Sequence, residues 1–130
     1  MYLIKVVGPK DISFHIRDRY SSIREFQSMV KKYIPSTDGT PNYPKKRFWG
    51  NLDEVWLELR SRQLSLFLNT FLAHPHVKVC HLVPIYFLEK AWGDGSLEAV
   101  QKLMSYMNKL PGPMSPTICT KEEYTPKLCQ

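Results

Sequence analysis

Three observations predict an α+β fold, in which a small antiparallel β-sheet packs on a helical subdomain of three to four helices. A β-rich run with period-two alternation opens the chain over residues 2–16. Apolar residues then recur at helical spacing in later segments, and Pro- and Gly-rich breaks separate those segments. The chain has 130 residues, 43% hydrophobic and 23% charged, which suits one buried core and is too apolar for a disordered polyelectrolyte.

The run from Tyr2 to Val7, the turn formers Gly8-Pro9-Lys10-Asp11, and Ile12, Phe14 and Ile16 alternating with Ser13 and His15 read as a β-hairpin with one buried face. Ser22-Ile23-Arg24-Glu25 fits a capping box at the start of a first helix. That helix buries Ile23, Phe26, Met29 or Val30, and Tyr33, and Pro35 stops it. Residues 35–51 hold three prolines and two glycines, and a loop that long in a small domain is usually functional. Asn51 or Asp53 can cap a second helix carrying Val55, Trp56, Leu59, Leu64, Phe67, Leu68, Phe71 and Leu72. A third helix should hold Ile85 to Trp92, ended by Gly93-Asp94-Gly95, and a fourth amphipathic helix runs from Ser96 to Leu110. From Pro111 on, the chain has four prolines and no periodicity, so a disordered or extended tail is expected.

The net charge of +6 suggests an anionic partner. Up to Arg62 there are 12 basic and 7 acidic residues, a balance of +5, so the partner site is expected in the first half. No apolar stretch approaches the ~20 residues needed to span a bilayer, and the start lacks the features of a signal peptide, so a cytoplasmic protein is expected. The cysteines Cys80, Cys119 and Cys129 are too few for a disulfide framework.

Arg19-Tyr20 at the strand-to-helix junction, Pro41-Asn42-Tyr43-Pro44-Lys45-Lys46 in the long loop and Arg60 in the next helix occur in an order and spacing that resemble the phox-homology (PX) domain, a family of phosphoinositide-binding modules, in a sorting-nexin-like form. The resemblance covers residues 1–92, leaving 93–110 as an additional helix and 111–130 as a Pro-rich tail. It implies that Arg19 holds the 3-phosphate, Tyr20 supports the inositol ring, Lys46 meets the 1-phosphate and Arg60 holds the 4- and 5-hydroxyls, giving selectivity for phosphatidylinositol 3-phosphate. These residue types suit the chemistry: a phosphomonoester favours a bidentate, permanently charged donor, and an aromatic face packs against ring C–H groups. Lys45 and Arg47 would meet anionic lipid, while Phe48 and Trp49 would insert into the bilayer. For Tyr20 and Trp49 the alternative is ordinary packing into the core.

The resemblance further implies recruitment to endosomal membranes for sorting or trafficking, with no enzymatic activity and no cofactor. It also implies three strands before the first helix. This chain opens at what corresponds to the second, so either a strand precedes it or one sheet edge is open. A rival reading takes Pro41-x-x-Pro44 with its basic neighbours as a polyproline ligand for an SH3 domain. Nucleic acid is disfavoured, because the aromatics do not interleave with a basic strand surface. His74, His76, Cys80 and His81 match no zinc-ligand spacing.

Overall fold

The computed structural model describes the backbone of residues 1–45, 54–109 and 117–122, and the side chains of 1–45 and 54–106. Strands β1 (Tyr2–Val7) and β2 (Ser13–Asp18) form the expected antiparallel hairpin, in register from Tyr2 opposite Asp18 to Val7 opposite Ser13. Its turn closes through a hydrogen bond from the Ile12 N–H to the Pro9 carbonyl at 3.1 Å. Lys10 and Asp11, the two central residues, both take positive φ, 55° and 61°. That is the turn hand that matches strand twist. Alternation buries Tyr2, Ile4 and Val6 from β1 and Phe14, Ile16 and Asp18 from β2 on one face.

Helix α1 (Tyr20–Tyr33) starts two residues before the expected capping box, and its N-cap residue, Arg19, makes no side-chain capping hydrogen bond. Its first helical bond runs from the Ile23 N–H to the Arg19 carbonyl at 3.0 Å, which places Ser22 and Glu25 inside the helix. The buried stripe is Ile23, Phe26, Gln27 and Val30; of the alternatives Met29 or Val30 it is Val30 that is buried, and Tyr33, also expected in the core, is exposed. At Ile34 the backbone turns extended, as the following Pro35 favours.

Helix α2 (Glu54–Ala73) buries Arg60, Ser61, Leu64, Phe67, Leu68, Phe71 and Leu72. Val55 and Leu59, expected on that face, are exposed because at ~100° per residue they fall on the opposite side of the helix. Helix α3 (Leu82–Lys90) ends before Trp92, contrary to the expected helical span. Ala91–Trp92 instead form a short strand, β3, whose residues lie opposite Ile16 and His15 of β2. Gly93 and Gly95, at φ 89° and 80°, turn the chain into α4 (Ser96–Lys109). The Ser96 hydroxyl fixes this corner, donating to the Trp92 carbonyl at 2.6 Å and accepting from the His15 N–H at 3.0 Å.

The sheet edge at β1, for which the sequence left either a preceding strand or an open edge, is occupied from the C-terminal side. Residues Thr117–Glu122, from the tail expected to be disordered or extended, form strand β4 antiparallel to β1, giving the order β3-β2-β1-β4. β4 also lies along α2. The helices bring Phe26, Phe71, Tyr86, Phe87, Val100 and Leu103 onto the sheet's buried face, with Phe26 stacked on Tyr86 at 3.9 Å and Phe14 edge-on to Phe87 at 5.3 Å. The result is the α+β fold that the sequence predicts, an antiparallel sheet with four helices among the described residues.

Candidate functional site

The strand alternation that buries Phe14 and Ile16 carries two residues further and turns a carboxylate inward at Asp18, which is 3% exposed. Asp18 accepts from the Arg19 N–H at 2.9 Å and from the Tyr86 hydroxyl at 2.7 Å, and Lys90 Nζ lies 3.8 Å away. Burial, followed by the Asp18 charge, pushes the Tyr86 pKa well above the usual phenol range, so the hydroxyl stays a donor. The junction from β2 to α1 is thereby fixed, with Arg19 exposed at the helix N-cap.

Tyr20, half-buried, is the hub of the site. Its hydroxyl donates to the Pro44 carbonyl, and its own carbonyl accepts from the Tyr43 hydroxyl at 2.7 Å. The two rings lie 5.0 Å apart, and Tyr43 packs edge-on to Phe67 of α2 at 5.1 Å. Burial, followed by the neighbouring Tyr20, raises the Tyr43 pKa, so this hydroxyl also remains protonated. Lys31 Nζ reaches the Pro41 carbonyl at 3.5 Å and His74 Nε2 meets the Asp38 carbonyl at 2.7 Å. The loop after α1 is thus fastened through its backbone carbonyls to α1 and to His74 just beyond the end of α2.

From α2, Arg60 enters the same cluster with its guanidinium 3.6 Å from the centre of the Tyr20 ring. It is 6% exposed, and its Nε has no hydrogen-bond partner among the described residues. A buried cation on an aromatic face gains roughly 2 kcal/mol from the ring. An unspent donor on it is costly unless a further acceptor arrives.

Two of the residues singled out in the sequence, Tyr20 and Arg60, are therefore in contact, and Arg19 is the chain neighbour of Tyr20. Lys45 is exposed at the end of the described loop. Lys46, Arg47, Phe48 and Trp49 lie outside the described residues. Asp18 and Tyr43 organise the site without having been singled out. For Asp18 the signal was available, since continuing the alternation from Ile12 puts it on the buried face between two arginines; the Tyr43 hydroxyl bond to the Tyr20 carbonyl depends on tertiary proximity alone.

The histidine-rich segment does not form a comparable centre. His74 accepts from the His76 N–H through Nδ1 at 3.2 Å, and no group of three or more His, Cys, Asp or Glu converges among the described residues. No helix among them is long and apolar enough to cross a membrane.

An exposed arginine at a helix start, an aromatic hub and a buried second arginine thus lie on one small sheet-and-helix frame. The PX-domain family model matches residues 6–91, and the chain belongs to that family. Among curated proteins it is similar to sorting nexin-13 from Homo sapiens, 26% identical over 100 residues, and from Mus musculus, 24% identical over 100 residues. Each match covers 74% of this chain and 10% of the relative, so the chain spans about a tenth of those proteins. No solved structure matches it. PX domains are binding modules.

Proposed function

We propose that the chain binds phosphatidylinositol 3-phosphate and uses it as a reversible address on endosomal membranes in sorting or trafficking. The observation that carries this reading is Arg60, buried on the Tyr20 ring with an Nε–H that has no partner among the described residues, close in the fold to Arg19 at the α1 N-cap. Arg19 and the α1 N-terminus attract the 3-phosphate. The inositol ring comes to Tyr20, and Arg60 turns its free donor to the 4- and 5-hydroxyls, where an added phosphate would crowd it. Lys46 takes the 1-phosphate.

Lys45 and Arg47 add attraction to anionic lipid, on the order of 1 kcal/mol each, and Phe48 and Trp49 enter the interface. Exposed Val55 and Leu59, one turn apart just after that loop, extend the apolar surface offered to the membrane. The SH3-ligand alternative gains no support: the carbonyls of Pro41 and Pro44 are engaged by Lys31 and Tyr20. Vesicle sedimentation across the phosphoinositides tests the proposal. Binding is expected with the 3-phosphate lipid and weaker with 4- or 5-phosphorylated headgroups; equal binding to every anionic vesicle would reduce the site to a basic patch.

A further inference from the structure

Strand β4 lies outside the segment matched by the PX family, yet it pairs with β1 along its whole length, from Tyr2 opposite Glu122 to Val7 opposite Thr117. It also lies along α2, the helix that carries Arg60. We infer that Thr117–Glu122 is a strap: it closes the β1 edge and braces α2, so that the Arg60 side of the headgroup pocket is held in place from the C-terminal end of the chain. The part concerning the pocket rests on the phosphoinositide reading above.

The local chemistry favours a strand that docks as a unit. Thr117, Ile118 and Thr120 are β-branched, and Pro116 stands where a strand can begin without losing a ladder donor. Residues 110–116 connect it to α4 and contain Pro111, Pro113 and Pro116, which restrict the link and lower the entropy lost when the strand docks. With β4 in place, β1 has a partner on both sides, so every backbone donor along it can be spent within the sheet. Without β4, the donors facing that edge return to water, and α2 loses the strand that runs along it.

The first test is amide hydrogen exchange on the whole chain. Consecutive amides of β1 should be protected; protection only of the alternate amides that face β2 would overturn the strap. The second test pairs Cys119→Pro with Thr120→Pro. Adjacent strand residues point their N–H groups to opposite sides, so this pair removes a donor facing β1 in either phase. Exchange at the β4-facing amides of β1 and along the first turns of α2 should rise by about tenfold or more, with the β1–β2 pairing kept. Binding to vesicles containing phosphatidylinositol 3-phosphate should fall about tenfold and recover when a peptide of residues 111–130 is added. Thr120→Gly, a milder change, should shift exchange in the same direction by less. Unchanged α2 exchange in both variants would overturn the proposal. If the unaltered chain binds no phosphoinositide vesicle, the lipid reading fails on its own, and exchange in β1 and α2 still decides the strap.

Discussion

Asp18 holds three groups at the strand-to-helix junction: the Arg19 amide, the Tyr86 hydroxyl and, more loosely, the Lys90 ammonium. Removing a buried carboxylate with two hydrogen bonds leaves both donors stranded, so Asp18→Ala should destabilise the fold by about 2–4 kcal/mol in urea unfolding. Tyr43 and Tyr86 carry a second consequence. Each keeps its proton in the folded state above the ordinary phenol value of 10.0, because burial opposes the phenolate. Their stabilising contribution is therefore fully present below pH 10 and is lost as pH rises above it, by up to about 1.4 kcal/mol per pH unit for each tyrosine. Tyr43→Phe and Tyr86→Phe should each flatten the alkaline fall by one such share, read from unfolding curves between about pH 8 and pH 11.

At the scale of elements, the hairpin turn stands out because Lys10 and Asp11 both sit in the left-handed region without being glycine. Asp11→Gly should stabilise the chain by about 0.5–1 kcal/mol, since the relief of side-chain crowding exceeds the entropy glycine adds to the unfolded state. Lys10 is best kept, because its ammonium lies 4.9 Å from the centre of the Tyr106 ring. The hairpin and most of the core faces of α1 and α2 were legible in sequence, since alternation and helical spacing are local signals. What failed has physical reasons. Ser22 and Glu25 fit a capping box, but the buried Asp18 fixes the junction one turn earlier. Tyr33 shares the helical period yet falls outside the stripe that packs on α2 and α3, as does Met29, where Val30 takes the buried position. Trp92 leaves α3 to pair with His15, and β4 has no periodicity of its own; both strands exist only through long-range pairing. In the candidate site, Arg19, Tyr20 and Arg60 were recognisable by type and order, whereas the hydrogen bonds of Asp18 and Tyr43 around them were not.

For the molecule as a whole, the proposed lipid-binding function draws on the basic excess up to Arg62, the cluster at Tyr20 and Arg60 next to Arg19, and the exposed Val55 and Leu59. Headgroup recognition and membrane contact should then separate by mutation. Val55→Asp with Leu59→Asp should weaken vesicle binding about tenfold while leaving affinity for a soluble, short-chain phosphatidylinositol 3-phosphate unchanged. Arg19→Ala should abolish both without unfolding the chain, since Arg19 is exposed and its backbone N–H keeps the Asp18 bond. The most direct measurement is an NMR titration of the full chain with that soluble lipid, following the Arg60 Nε–H resonance. A saturable shift of this resonance together with the Arg19 and Tyr20 signals, absent in Arg19→Ala, is the predicted result. An Arg60 Nε–H that does not move at saturating lipid, or moves equally in Arg19→Ala, would contradict the account.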